Sequence, residues 1–161
     1  MRIGIGFDIH RLIASPEKSS ISLGGIAIPC FFRVEAHSDG DVLLHSVVDA
    51  CLGALALGDI GQWFPDNKEE NKGRPSTDFI REVVKKVHAM GWVVNQVDSV
   101  ILLEEPKLAP HSSEIRESLA SLLQIELSSV SVKAKTMERL GDIGKRNAIA
   151  AQAVITLQKR S

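Results

Sequence analysis

The sequence predicts an α/β sandwich: a mixed four-stranded sheet with helices on one face, and a small hairpin beside it. Three observations carry this expectation. Apolar residues alternate with period two near both ends of the chain, at Ile3, Ile5 and Phe7 and again at Ile149, Ala151, Ala153, Ile155 and Leu157. Gly24-Gly25 separates two short apolar runs, the signal of a two-residue hairpin turn. Between these lie segments whose apolar residues recur at helical spacing. The 161 residues suit one domain spanning 1–161, long enough to bury a real core.

The elements follow in order. The first strand has Ile3, Ile5 and Phe7 alternating with Gly4, Gly6 and Asp8. The hairpin joins Ile21-Ser22-Leu23 to Ile26-Ala27-Ile28. Ser38 is expected to cap a helix reaching about Leu57, with Asp39 and Asp41 in its first turn, where acids suit the helix dipole. Gly58-Asp59-Ile60-Gly61 stops it. Residues 62–76 are polar, rich in Asn, Lys, Asp, Gly and Pro, and read as one long loop of the kind that often carries function. A second helix is expected over 77–90, with Ile80, Val83, Val84 and Val87 as its buried stripe and Gly91 at its end. Residues 97–103 read as a strand. Ser112 or Ser113 is expected to cap a third helix carrying Ile115, Leu119, Leu122 and Leu123. Val130, Val132 and Ala134 alternate in another strand before the last one.

Composition excludes several classes. Hydrophobic residues make up 44% and charged residues 24%, a globular balance. No apolar run approaches the roughly 20 residues that span a bilayer, so no membrane role is expected. Nothing in the N-terminal residues resembles a signal peptide, so export is not expected. The net charge is −1 with no evident basic face, which argues against a nucleic-acid partner. Cys30 and Cys51 are too few for a disulfide framework. Cys51 reads as a small core residue, and Cys30, after Pro29, as a loop residue without a role.

Asp8 and His10 are two apart on a strand end, so both side chains project the same way. His45 lies one or two turns into the first helix. Asp, His and His are ordinary zinc ligands, and three protein ligands leave a fourth position open. Asp-x-His alone is common on surface loops. His37 alone reads as an exposed loop residue and His45 as a satisfied core histidine. Taken together with Asp59, they read as a metal site.

The ordered pattern then resembles the 2-C-methyl-D-erythritol 2,4-cyclodiphosphate synthase family. It comprises Gly6-Phe7-Asp8-Ile9-His10, Ala36-His37-Ser38-Asp39-Gly40-Asp41-Val42-Leu43-Leu44-His45, and Ala56-Leu57-Gly58-Asp59-Ile60-Gly61 with Phe64-Pro65-Asp66. Pro106-Lys107, Pro110-His111 and Val132-Lys133-Ala134-Lys135-Thr136-x-Glu138-x-Leu140-Gly141 complete it. The resemblance implies conversion of 4-diphosphocytidyl-2-C-methyl-D-erythritol 2-phosphate to the cyclic diphosphate and CMP, in non-mevalonate isoprenoid synthesis. It implies zinc or a similar divalent ion on Asp8, His10 and His45, and magnesium or manganese on Glu138 with the substrate phosphates. It places His37 and Thr136 beside the transition state. Asp8, Ile9, His10 and His37 would meet the substrate, and Ser38, Asp59, Ile60 and Gly61 would bind the methylerythritol phosphate, beside a mobile lid of Phe64, Pro65, Asp66, Asn67 and Lys68. Leu103, Glu104, Glu105, Pro106, Lys107, Leu108 and Ala109 would form the cytidine pocket, with Lys135, Thr136, Met137 and Glu138 at the diphosphate. The implied assembly is a homotrimer with sites between subunits, in the cytoplasm, or in the plastid stroma if the chain is a processed form.

The chain departs from the family at Lys135, where many members carry Thr. It departs again at Asp142-Ile143-Gly144-Lys145-Arg146-Asn147, where many carry Phe and then Gly-Arg-x-Glu. That region is implied to line a cavity on the threefold axis, so Asp142 and Lys145 join the candidate binding residues. Two other readings stay open: a metal-dependent phosphodiesterase using water, and a non-catalytic metal- or nucleotide-binding module.

Overall fold

The computed structural model describes residues 1–65 and 67–160. Five strands form one sheet: β1 (Arg2–Leu23), β2 (Ile26–Glu35), β3 (Trp92–Leu102), β4 (Val130–Lys135) and β5 (Ala148–Lys159). Their spatial order is β2-β1-β5-β3-β4, with β3 and β4 parallel and the other neighbours antiparallel. The helices are α1 (Val42–Ala54), α2 (Ile60–Trp63), α3 (Ser76–Ala89), α4 (Ser112–Leu123) and α5 (Gly141–Gly144). Among the described residues, no helix is long and apolar enough to cross a membrane.

The sheet corrects the expected four strands plus a separate hairpin. β1 is 22 residues long and serves two partners. Residues 2–11 pair with β5, and residues 11–23 pair with β2 across the Gly24-Gly25 turn. The hairpin is thus the far end of the main sheet. Both turn glycines have positive φ (64° and 79°), the geometry that a two-residue hairpin turn requires.

The two faces of β1 differ in an unusual way. Gly4, Gly6, Asp8 and His10 face α1, in register with the buried Ile155, Ala153, Ala151 and Ile149 of β5. Ile3, Ile5, Phe7 and Ile9 occupy the opposite face and are 50–62% exposed. The glycines let α1 lie against bare backbone. A Cβ on Gly4 would sit 1.8 Å from the Ala50 carbonyl oxygen, and one on Gly6 would sit 1.9 Å from that of Ser46.

Helix α1 is buried along its whole length except at Asp49 and Gly53, because the sheet covers one side and α3 another. Its cap is Asp41, not Ser38. Gly40 has a φ of +71°, outside the helical region, so the helix cannot begin before it. The helix also stops at Ala54, short of Leu57, where Ala56 turns to a φ of +58°. The Asp41 carboxylate accepts from Leu44 N (3.0 Å), Gly24 N (3.0 Å), Gly25 N (2.7 Å) and Ser22 Oγ (3.1 Å). One buried side chain therefore ties the hairpin turn to the helix start. Burial pushes its carboxyl above the ordinary value, against the pull of the Gly25, Leu44 and Gly24 N–H groups. Asp41→Ala leaves those donors without partners in the interior, at a cost of about 3–4 kcal/mol. The expected result is a melting temperature lower by roughly 10 °C in thermal unfolding.

Helix α3 starts one residue earlier than expected, and its stripe of Ile80, Val83, Val84 and Val87 is buried as read. Helix α4 has no serine cap. It grows directly from a 3-10 turn at Ala109–His111, so His111 occupies the capping position. Its expected apolar residues are all buried. Cys30 lies on β2, not in a loop, with its thiol donating to Phe32 O at 3.4 Å. Cys51 is fully buried in α1, as expected, and burial pushes its thiol up to about 12. At pH 8 it should resist iodoacetamide in the native protein and react only on unfolding, a difference that intact-mass measurement reads directly.

Candidate metal centre

The strand period places Asp8 and His10 side by side on the face that meets α1. His45 reaches them from the first turn of that helix, because Gly4 and Gly6 allow the close approach. Asp8 Oδ2 is 3.0 Å from His10 Nε2 and 2.9 Å from His45 Nδ1, and the two ring nitrogens are 3.1 Å apart. The three donor atoms form a nearly equilateral triangle. Zinc with ligand bonds of about 2.0 Å in a tetrahedron sets ligand separations of about 3.3 Å. The observed edges are a few tenths shorter, and the donor set of one carboxylate oxygen and two imidazole nitrogens suits a divalent ion. Among the described residues, this is the one such cluster of His, Cys, Asp or Glu. Burial alone would push the Asp8 carboxyl up, but hydrogen bonds and charge from His10 and His45 hold it well below the usual carboxylate range. Asp8 is thus an anion ready to ligate.

The triad heads a cavity of about 330 Å³ lined also by Ala36, His37, Ser38, Ile60, Gly61, Phe64, Asn71 and Phe79. Six expected site residues therefore join the triad's surroundings: His37, Ser38, Ile60, Gly61 and Phe64 line the wall, and Asp59 caps α2 beside it through Gln62 N (2.9 Å). Asp49 holds this helix start in place, its Oδ1 accepting from Ile60 N at 2.7 Å. The 62–76 segment is less of a loop than expected. It contains the end of α2 and a 3-10 turn at Glu69–Asn71, and α3 begins at its last residue. Asn71 is buried and donates to Pro65 O (2.9 Å), and Gly73 N donates to His37 O (2.7 Å), so the segment folds back over the cavity. Phe64 stacks on Phe79 with ring centroids 4.5 Å apart, and the Arg74 guanidinium lies 5.1 and 5.7 Å from the two rings. Trp63 packs and donates to Leu57 O at 3.0 Å. Asn67 and Lys68 are exposed, and Asp66 lies outside the described residues.

The other expected site residues lie elsewhere on the chain. Leu108 and Ala109 line an apolar cavity of about 190 Å³ with Ile101, Val132 and Ala134. Glu104, Glu105 and Lys145 border a polar cavity with Arg139 and Arg146, and Pro106 borders another beside Cys30. Asp142 faces a third, shared with Ile9 and His10. Lys107 and Lys135 are exposed, and Leu103 is buried. Thr136 donates to Glu138 Oε1 at 3.1 Å, and Met137 N donates to Glu104 Oε2 at 3.1 Å. Neither Thr136 nor Glu138 lines the triad cavity. Glu138 and Arg139 both carry positive φ (51° and 64°), a strained pair of non-glycine residues.

The sequence reading missed Ser76, Asn71 and Phe79, and gave Asp39 only a dipole role. Ser76 Oγ lies 2.8 Å from His45 Nε2 and is paired with the Asp39 carboxylate. The signal for Ser76, a small polar residue after Pro75 at a helix start, was present but points nowhere without the fold.

The YgbB family model matches residues 1–158. The chain belongs to the YgbB family. Relatives named 2-C-methyl-D-erythritol 2,4-cyclodiphosphate synthase include one from Desulforamulus reducens, 46% identical over 99% of both chains. Another, from Stutzerimonas stutzeri, is 50% identical over 98% of both. Among solved structures, the CDP complex of the Plasmodium falciparum IspF protein is 36% identical, covers 99% of this chain and 97% of that one, and superposes with a TM-score of 0.87. The YgbB match covers residues 1–158, so the triad and the residues lining its cavity all fall within the matched region.

Proposed function

We propose that the chain converts 4-diphosphocytidyl-2-C-methyl-D-erythritol 2-phosphate to 2-C-methyl-D-erythritol 2,4-cyclodiphosphate and CMP, as the name of its relatives states for them. The carrying observation is the convergence of Asp8, His10 and His45 at the head of a closed-over cavity. The 2-phosphate oxygen forms a bond to the β-phosphorus, and the bond from that phosphorus to the bridging oxygen breaks. The electron pair leaves with CMP, and no water is consumed. The attacking phosphate is already ionised, so the protein needs no side-chain nucleophile. Its tasks are to align two anions and offset their charge.

Asp8, His10 and His45 would hold zinc, and Glu138 would hold magnesium or manganese, which needs few protein carboxylates when phosphates and water fill the shell. Bound there, the ions supply Lewis-acid polarisation of the phosphoryl oxygens and neutralise developing charge. His37 and Ser38 flank the reacting phosphates from the loop before α1. Asp59, Ile60 and Gly61 bind the methylerythritol end, with Phe64, Pro65, Asp66, Asn67 and Lys68 as the cover. The 190 Å³ slot at Leu108 and Ala109 takes the cytosine, with Lys107 at its rim. Lys135, Thr136 and Met137 meet the diphosphate. A CDP complex of a 36% identical protein supports a cytidine nucleotide as ligand.

Within one chain, Glu138 stands apart from the triad cavity. A homotrimer resolves this, with neighbouring copies completing each site. Its support is the uncovered apolar face of β1 (Ile3, Ile5, Phe7 and Ile9), joined by Val154 of β5, too large a set to leave in water. The test is CMP release from the cytidyl substrate with and without a chelator. Chelation should lower the rate by at least about 100-fold, with zinc and magnesium together restoring it. Mass spectrometry should find a product without added water. A hydrated product would instead establish a phosphodiesterase, and a chelator-insensitive rate would remove the metal from the mechanism.

A further inference from the structure

We infer that Ser76 and Asp39 are positioning residues that set the tautomer of His45, and so present its Nδ1 lone pair to the metal centre. The inference rests on the metal reading of the triad, but its own basis is a chain of hydrogen bonds. His45 meets Asp8 and His10 through Nδ1. Its other nitrogen, Nε2, points the opposite way, 2.8 Å from Ser76 Oγ. Ser76 is fully buried at the first turn of α3, and His45 is 8% exposed.

The donor and acceptor inventory settles the Nε2 side of the ring. A serine hydroxyl has one hydrogen to give. Ser76 gives it to Asp39 Oδ1, and its backbone N–H goes to Asp39 Oδ2 at 3.1 Å. The Asp39 carboxylate is an acceptor only, and it also takes Asp41 N–H at 3.3 Å. With its hydrogen committed, Ser76 Oγ faces His45 with lone pairs alone. A bare Nε2 at 2.8 Å would set lone pair against lone pair. Nε2 therefore carries the proton, and Ser38 Oγ, 3.2 Å away, is a second oxygen beside it. In the neutral ring the Nδ1 lone pair then faces Asp8 Oδ2 and His10 Nε2, a meeting of acceptors that a cation seated among the three would satisfy. The opposite tautomer would place a proton where a cation must bind.

The arrangement also explains why the pair lies where it does. Asp39 precedes α1 and Ser76 opens α3, so the two hydrogen bonds tie the start of one helix to the start of the other. His45 is held between β1 on its metal side and α3 on its proton side. Phe79, one turn along α3, packs against the same ring at a centroid distance of 6.2 Å and limits its rotation. Outer partners of this kind, which fix the tautomer and orientation of a ligating histidine, commonly change metal affinity by about 10–100-fold.

The test uses the full-length protein and three variants: Ser76→Ala, Ser76→Thr and Asp39→Asn. Two readouts are taken. Zinc affinity is measured by chelator competition, and the tautomer of His45 in metal-free protein by 15N NMR of the ring. Wild type should show the Nε2-protonated form. Ser76→Ala should lose that preference and bind zinc about 10–100-fold more weakly, with its melting temperature reported alongside. Ser76→Thr, which keeps the hydroxyl, should recover most of the affinity. Asp39→Asn should weaken zinc binding as well, because an amide cannot accept from both the hydroxyl and the N–H of Ser76. Equal zinc affinity and an unchanged tautomer in Ser76→Ala would overturn the inference while leaving the metal centre intact. Failure of wild type to bind zinc would refute the metal reading, and the NMR comparison would still decide the tautomer.

Discussion

Gly6→Ala is expected to abolish zinc binding and to unfold the protein at a markedly lower temperature. The added Cβ would sit 1.9 Å from Ser46 O and 2.8 Å from Ala50 N, and both are backbone atoms of α1. No rotamer change can relieve such a contact. Strand and helix must separate by about 1.5 Å to restore an ordinary van der Waals distance. Close-packed interiors resist such shifts, and overpacking of this kind costs about 3 kcal/mol or more. The consequence for the site is larger still. Asp8 and His10 ride on β1 and His45 on α1, so the separation opens the donor triangle directly. Sites of this kind tolerate displacements of about 0.5 Å, and a misplacement near 1 Å lowers rates by about 100-fold. Zinc content after dialysis and thermal unfolding measure the two effects. Gly53→Ala is the control on the same helix. A Cβ there meets only Ile5 O at 3.7 Å, so the change should be neutral or stabilise by about 0.5–1 kcal/mol. A Gly6→Ala protein with full zinc content would disprove the close-approach argument.

Glu138→Gln is expected to lower CMP release by about 100- to 1000-fold while leaving zinc at the triad. Glu138 is exposed and its recorded side-chain partner is the Thr136 hydroxyl, so the isosteric amide should not disturb the fold. What disappears is the negative charge that a hard cation requires. The expected pattern is a fall in kcat with normal zinc stoichiometry and an unchanged melting temperature. Unchanged turnover would refute the two-ion reading. It would also leave the left-handed backbone at Glu138 and Arg139 without a catalytic explanation.

Features with a local physical cause were legible in the sequence. The α3 stripe was readable because one side of that helix is solvated and the other is not, so the pattern survives. The hairpin was readable because a two-residue turn demands positive φ twice, and Gly24-Gly25 supplies it. Asp8 and His10 were readable as a pair because strand geometry puts alternate residues on one face. Helix α1 was misjudged at both ends for the converse reason. It is buried on nearly every side, so no periodicity marks its limits, and its cap is chosen by the conformation of Gly40 and the partners of Asp41.

Family membership was legible too, because the ordered motifs extend along the whole chain. The role of Ser76 was not, since its partners Asp39 and His45 are 37 and 31 residues away.

By itself, then, the sequence determined the alternation of β1, the hairpin, the amphipathic helices and the Asp8–His10 pair, because each depends on residues close together in the chain; His45, 37 residues from Asp8, was joined to them by the family motif. The tertiary structure decided which side of β1 meets α1, and the answer inverts the usual rule. The glycine side is buried and the isoleucine side is open, since only bare backbone lets the helix bring His45 to Asp8 and His10. It also joined the hairpin to the main sheet and set Ser76 behind His45. Those outcomes depend on distant segments packing together, and local propensity carries no information about which distant segments will meet.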